Sequence, residues 1–360
     1  LLEQEEKMSV YTPAQLEELI NKWPRVRLTS LPTPLYRLEN LAVELGLKEV
    51  LVKRDDLTGL AFGGNKSRKL EFILADALSQ EADTIITWGS LQSNWCLQTA
   101  AAARRFGLKP VLALFRTYDL SSPDQGNILI EKLLDAEIIV AGTEAGGKSS
   151  DQEQAFRFLT EVARLEAKKG RKPYLVSVGG SMTGGNMKRP LGALAYMLDM
   201  IEIARQTASS SPPDYVIVAS GSGATQAGLI VGARALGLET RIVGICVSDR
   251  KEEFLPQVKK ISLELVETLG LKIDLDDRDI ILLDDYLGEG YGRVTPDVVA
   301  MIKTVIQKEG LVLDPVYTAK AMIGLFDLAG KKYLKVSDRV LFIHTGGSPA
   351  LFAFANRLLA

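Results

Sequence analysis

One lysine stands where an amine could act as a nucleophile or meet a phosphate. Lys66 follows Phe62, Gly63, Gly64 and Asn65, and it opens a helical pattern at Leu70, Ile73, Leu74 and Ala77. The two glycines allow a tight turn and a close backbone approach to a ligand. The first turn of a helix offers unpaired N–H groups and the positive end of a dipole to an anion. A solvated lysine at a basic helix start fits the same residues. Other chemistry is scarce. His344 is the only histidine, and Cys96 and Cys246 are the only cysteines, too few for a Cys/His metal site or a disulfide framework. No metal is expected. A Ser-His-Asp hydrolase would have to use His344, which reads better as a packed strand residue.

Four further stretches could contribute to a site. Gln92, Ser93 and Asn94 fall between a strand and a helix, where they can cap the helix or present N–H groups to a carboxylate. Ser222, Gly223, Ala224 and Thr225 also lie between a strand and a helix, and hydroxyls and N–H groups there can cradle one phosphate. Gln226 stands where a dinucleotide fingerprint needs its third glycine. Tyr317 and Thr318 follow Asp314-Pro315, a helix-entry signal, and Tyr291 lies in a glycine-rich loop. A competing pattern is Gly-Thr-Glu-Ala-Gly-Gly-Lys-Ser at residues 142–149, which fits a phosphate-binding loop of an NTPase. The apolar run 280–283 before Asp284 and Asp285 mimics its acidic partner strand.

Residues 62–69 resemble the pyridoxal-phosphate lysine motif of the 1-aminocyclopropane-1-carboxylate deaminase and D-cysteine desulfhydrase family. That family belongs to the tryptophan-synthase-β-like, fold type II enzymes, and the likeness runs from about Thr29 to Ala350. It implies that Lys66 is the Schiff-base lysine and the base for the substrate α-proton. It makes Asn94 the partner of the cofactor's ring hydroxyl, and gives the substrate carboxylate to Gln92 and Ser93. The phosphate falls to Ser222, Gly223, Ala224 and Thr225. Tyr291 and Tyr317 become active-site tyrosines for the leaving group, and Thr318 lies near the pyridine nitrogen. Residues 142–149 have no role in that family. Trp95-Cys96 departs from the pair often found in the desulfhydrases, so Trp95 is a candidate substrate contact.

Thr318 bears most on substrate. The ring-opening deaminases carry Glu here, and a carboxylate would keep the pyridine nitrogen protonated. A hydroxyl cannot supply that charge and suits β-elimination of a good leaving group. The resemblance therefore implies a D-cysteine desulfhydrase-like lyase giving pyruvate, ammonia and sulfide. Cysteate is the next substrate, kept open by Trp95-Cys96 and by Lys188 and Arg189 in the long 181–190 loop. Ring-opening deamination ranks after these.

Around these residues the chain alternates strand and helix. Apolar strand runs fall at 84–89, 110–115, 137–141, 174–178, 215–219, 241–246, 280–283 and 339–344. Helical patterns fall at 13–23, 94–106, 127–134, 151–168 and 191–206. Such alternation predicts an α/β fold with parallel sheets, and 360 residues suffice for two domains. The family divides them as 1–68 plus 191–360, the large cofactor-binding domain, and 69–190, the small one. The polar 208–213 segment reads as a linker. A net charge of −2 implies no nucleic-acid field. No apolar run is long enough to span a membrane, and the acidic start has no signal-peptide core. The expectation is a cytoplasmic homodimer acting on a small amino acid.

Overall fold

The computed structural model describes residues 10–117, 124–141 and 152–359. Its strands are β1 (Leu35–Arg37), β2 (Glu49–Lys53), β3 (Thr84–Ser90), β4 (Lys109–Phe115), β5 (Glu137–Ala141), β6 (Pro173–Leu175), β7 (Tyr215–Ser220), β8 (Arg241–Cys246), β9 (Ile281–Leu283) and β10 (Arg339–Ile343). Its helices are α1 (Pro13–Ile20), α2 (Glu39–Leu45), α3 (Asn65–Ser79), α4 (Asn94–Arg105), α5 (Asn127–Leu133), α6 (Gln152–Lys168), α7 (Leu191–Gln206), α8 (Ala224–Ala235), α9 (Lys251–Leu269), α10 (Pro296–Glu309), α11 (Thr318–Gly330), α12 (Ser348–Ala353) and α13 (Ala355–Leu359).

These strands form two sheets. One has the order β1-β2-β10-β7-β8-β9, the other β5-β4-β3-β6. Every pairing is parallel except β1 with β2. The β3 run Thr-Ile-Ile-Thr-Trp-Gly-Ser is buried throughout, as is the β7 run Tyr-Val-Ile-Val-Ala-Ser. Strands covered on both faces need no polar alternation, which is why these runs read as continuous apolar blocks.

The apolar run before the Lys66 motif is itself a strand, β2, seated between β1 and β10. Sequence periodicity did not separate β1 and α2, which are three and seven residues long. The expected strand at 174–178 stops at Leu175, and a tight turn at Val178–Gly180 follows, kinked at Gly179, whose φ of +66° lies outside the helical range. The polar 208–213 segment joins α7 to β7. Among the described residues no helix is long and apolar enough to cross a membrane.

The strands next to the two halves of the NTPase pattern belong to different sheets. Residues 142–149 lie outside the described residues, but β5, which leads into them, is an edge strand of the four-stranded sheet. The acidic partner run is β9, an edge of the other sheet, and Asp284 at its end lies 3.5 Å from the exposed Arg250. In a phosphate-binding-loop NTPase the two strands would share one sheet, which β5 and β9 do not.

The helix that carries Lys66 is buried on nearly every side, packed against α4 and α7. Its polar residues are each held by a different neighbour. Ser67 donates to Gln98 Oε1 at 2.8 Å. Glu71 accepts from the N–H groups of Leu28 and Thr29, both at 2.8 Å, and from the Thr29 hydroxyl at 2.6 Å. Arg68 reaches Asp55 and Asp199 at 2.9 Å and Glu202 at 3.0 Å. Burying that many polar groups is tolerable only because each is paired, and the pairings hold the helix in one rotation.

Candidate active site

The turn before Lys66 has glycine where nothing larger fits. Gly63 and Gly64 take φ of +75° and +130°. A Cβ on Gly63 would lie 1.9 Å from the Asp56 carbonyl oxygen, and one on Gly64 would lie 2.4 Å from Gln98 Nε2. The Thr58 hydroxyl accepts from Gly64 N–H at 2.8 Å and donates to Gly64 O at 2.9 Å, while Gln98 Nε2 donates to Gly63 O at 2.6 Å. The chain therefore leaves the turn in a set direction, with the Lys66 side chain on the wall of a cleft.

Burial lowers the Lys66 ammonium to about 8, against the opposing effect of a hydrogen bond with Lys69. Lys69, one turn on, is fully buried; it donates to Gly179 O at 3.2 Å and lies 5.8 Å from the centre of the Tyr196 ring. Its own ammonium is pushed well down by burial and then by Lys66. The Lys66 amine is thus largely neutral at pH values where a free lysine, near 10.4, is charged. At pH 8 its neutral fraction exceeds that of a free lysine by roughly a hundredfold. Capture of a carbonyl compound by the apoprotein is therefore expected to speed up as pH rises and to level off above about 8. Stopped-flow absorbance against pH checks this; a rate still climbing at pH 10 would contradict it.

The cleft, counted together with the solvent at its mouth, has about 1000 Å³ of empty space. Segments at the carboxyl ends of β3, β7, β8 and β10 line it, where ligands of parallel sheets collect. Among the expected residues, Lys66, Ser93, Asn94, Trp95, Ser222, Gly223, Thr225, Tyr291 and Tyr317 share this wall. Gln92, Ala224 and Thr318 stand behind it, all buried.

Each displaced residue has an observable reason. Gln92 turns its side chain to the next helix, donating to Gln125 O at 2.8 Å and accepting from Asn127 N–H at 2.7 Å. Ala224 is the first residue of α8 and offers only backbone to the loop. The Thr318 hydroxyl donates to Asp314 Oδ1 at 2.7 Å and accepts from Asp314 N–H at 2.7 Å. Trp95 reaches the cleft with its ring alone, because its N–H donates to Thr87 Oγ1 at 2.7 Å. Lys188 and Arg189 are exposed and are not part of the cleft wall. His344 is a packed residue, as expected. Its Nε2–H donates to Val312 O at 2.8 Å and its Nδ1 accepts from Gly346 N–H at 3.2 Å.

Some residues in or beside the cleft were not singled out as site residues from the sequence. Asn65 donates to Thr225 Oγ1 at 3.1 Å, so the Thr225 proton remains for a ligand. Ser181 donates to Ser222 Oγ at 2.8 Å, tying the 181–190 segment to the Ser222 loop. Ser90 lies 3.1 Å from the Tyr291 hydroxyl, which also bonds the Tyr317 hydroxyl. Burial pushes the Tyr291 phenol up, against the lowering effect of Ser90 and Tyr317. It keeps its proton at neutral pH.

The arrangement fits an aldehyde that carries a phosphate. The 12-residue α8 begins at this loop with no side-chain cap on its first N–H groups, which leaves a positive helix end for an anion. Ser220 Oγ, at the end of β7 just before this loop, is buried without a hydrogen-bond partner among the described residues. A neutral amine and a phosphate cradle therefore open on one cleft.

A family model described as a pyridoxal-phosphate dependent enzyme matches residues 26–346. The chain belongs to that family. Its cofactor is pyridoxal phosphate. The chain is 42% identical over 343 residues to a protein from Yersinia enterocolitica named D-cysteine desulfhydrase, covering 94% of this chain and 98% of the relative. It is 39% identical over 342 residues to a putative 1-aminocyclopropane-1-carboxylate deaminase from Pyrococcus horikoshii, covering 95% and 97%. Among solved structures, one described as an ACC deaminase homologue superposes with a TM-score of 0.85 at 38% identity, covering 96% of this chain and 98% of the other. Escherichia coli diaminopropionate ammonia lyase, at 18% identity and a TM-score of 0.62 over 94% of this chain and 88% of the other, shares the fold. This fold type II enzyme is thus a two-sheet α/β protein with the cleft at its strand ends.

Proposed function

We propose that this enzyme eliminates the β-substituent of a small amino acid, with D-cysteine as substrate and pyruvate, ammonia and hydrogen sulfide as products after one water is added. The observation that carries this reading is Thr318. It is an uncharged hydroxyl whose one proton is committed to Asp314, in a chain 42% identical to a D-cysteine desulfhydrase. With that proton given away, the hydroxyl supplies no positive charge and no proton to a ring nitrogen. This favours a reaction with a good leaving group over opening a cyclopropane ring.

Pyridoxal phosphate, when bound, supplies an electrophilic carbon for amines and an electron sink for the breaking Cα–H bond. The Ser222 and Thr225 hydroxyls and the N–H groups around Gly223 and Ala224 would hold its phosphate. The Asn94 amide would meet its ring hydroxyl. Lys66 Nζ, neutral above about 8, takes the α-proton. The N–H groups of the Ser93 turn hold the substrate carboxylate, with Gln92 acting through that turn rather than by its side chain. Tyr291 and Tyr317 share a hydroxyl–hydroxyl bond at the cleft, so one of them hands a proton to the departing sulfur as the Cβ–S bond breaks. Trp95 contributes a flat apolar wall.

Cysteate loses support, because the Trp95 N–H is bonded to Thr87 and Lys188 and Arg189 stand away from the cleft wall. The 39% likeness to a putative deaminase keeps ring opening as the second reading. The division at 69–190 is supported by a four-stranded sheet whose strands run from Thr84 to Leu175. Two buried, unpaired cysteines suit a reducing compartment such as the cytoplasm, and the family resemblance is the support for a homodimer. The deciding assay follows sulfide and pyruvate from D-cysteine and L-cysteine, and 2-oxobutanoate and ammonia from 1-aminocyclopropane-1-carboxylate. D-cysteine is expected to give both products with the highest kcat/KM. Sulfide from L-cysteine alone, or deamination of the cyclopropane substrate at an equal or higher rate, would sink the proposal.

A further inference from the structure

Asn94 lines the cleft, but what its side chain offers there is decided one layer deeper. Asn127, the first residue of α5, is fully buried and faces the Gln92–Asn94 turn. Its Nδ2 donates to Gln92 O at 2.9 Å and to Asn94 Oδ1 at 2.8 Å, while its own N–H donates to Gln92 Oε1 at 2.7 Å. A main-chain carbonyl can only accept, so Gln92 O fixes which end of the Asn127 amide is nitrogen. The second hydrogen of that nitrogen then requires the oxygen end of Asn94. What Asn94 has left for the cleft is its NH₂ group, which takes no protein partner among the described residues.

The approach of α5 is itself built in. Gly126, just before Asn127, has φ +61°, and a Cβ on it would lie 2.4 Å from Gln92 Oε1 and 2.9 Å from Pro349 O. No other residue type lets the chain come this close to both the Gln92 turn and the α12 segment.

We infer that Asn127 is a positioning residue for the cofactor: it turns the Asn94 amide so that a donor, and not an acceptor, meets the cofactor's ring oxygen. An N–H donor stabilises that oxygen as an anion, whereas an amide oxygen in its place would repel it. The inference rests on the assignment of Asn94 to the ring hydroxyl, and the test separates the two.

The test uses holoenzyme of the wild type, Asn127→Asp, Asn127→Ala, Asn94→Ala and the double variant Asn94→Ala/Asn127→Asp. Two quantities are read: the pyridoxal phosphate dissociation constant, and the pH midpoint of the bound cofactor's absorption change. Asn127→Asp removes the donor at constant shape and frees Asn94 to turn. Asn127→Ala keeps the backbone bond to Gln92 and guards against a folding defect, which circular dichroism would report. Asn127→Asp is expected to weaken cofactor binding about tenfold or more and to move the midpoint by about a pH unit. In the Asn94→Ala background the same change is expected to do nothing further. If Asn94→Ala shifts the midpoint but neither Asn127 variant does, the inference is overturned. If Asn94→Ala itself leaves the midpoint in place, the assignment of Asn94 fails first. An Asn127 effect of equal size with and without Asn94 would mean a purely structural role and would also overturn the inference.

Discussion

Lys66→Ala is expected to abolish turnover, by more than about 10⁴-fold, because one change removes both the covalent anchor and the base for the α-proton. The protein should still fold and still bind pyridoxal phosphate, since the phosphate cradle lies on another element, the loop before α8. Borohydride treatment followed by peptide mass spectrometry reads the anchor directly. Wild type should carry the reduced cofactor on Lys66 and the variant on no residue. Lys69 is the informative competitor. It is the other lysine beside the Gly179 loop, but it is fully buried and donates to the Gly179 carbonyl, whereas Lys66 stands on the cleft wall. A label on Lys69 in the wild type would refute the assignment.

The second large effect lies beneath the same helix. Arg68 is 2% exposed and pairs with Asp55 and Asp199, both fully buried, and with Glu202. Lys53 meets Glu202 as well, and the Tyr196 hydroxyl donates to Asp55 Oδ2 at 2.6 Å. Four elements thus converge on one guanidinium: β2, the 3-10 turn at Asp55–Leu57, α3 and α7. Arg68→Met fills similar volume but strands the carboxylates, and breaking a buried pair from one side costs about 3–5 kcal/mol. Urea unfolding at pH 7 should show a loss of that size, and a loss under about 1 kcal/mol would contradict it.

The pH dependence has a definite sign. Burial pushes the Asp199 carboxyl up even with Arg68 beside it. A carboxyl raised in the folded state weakens the fold as pH climbs through its folded value, because the unfolded state releases its proton earlier. Without Arg68 its folded value rises beyond the wild type's value of about 7, so the gap between variant and wild type should widen as pH climbs from 7 towards 9 and change little below 7.

The grouping of most candidate site residues on one cleft was legible in the chain because they are carried by short runs. The Ser93-Asn94 turn and the Ser222–Thr225 loop each join a strand end to a helix start, and the Gly-Gly turn with Lys66 opens α3, so residue order alone puts backbone N–H groups and side chains at the mouth of a parallel sheet. The alternating architecture was legible for a related reason. Strands such as β3 and β7, covered on both faces, write themselves as apolar blocks.

What only the tertiary structure decided concerns direction and partnership. Gln92, Trp95 and Thr318 are adjacent in sequence to cleft residues, but hydrogen bonds to Asn127, Thr87 and Asp314 turn their polar atoms away from the cleft. Asn127 lies 33 positions from Asn94 along the chain, and Ser181 lies 41 from Ser222. No local pattern announces such pairs. They exist because a buried polar group must find a partner, and in a folded chain that partner is set by which elements pack together, not by which residues are neighbours in the sequence.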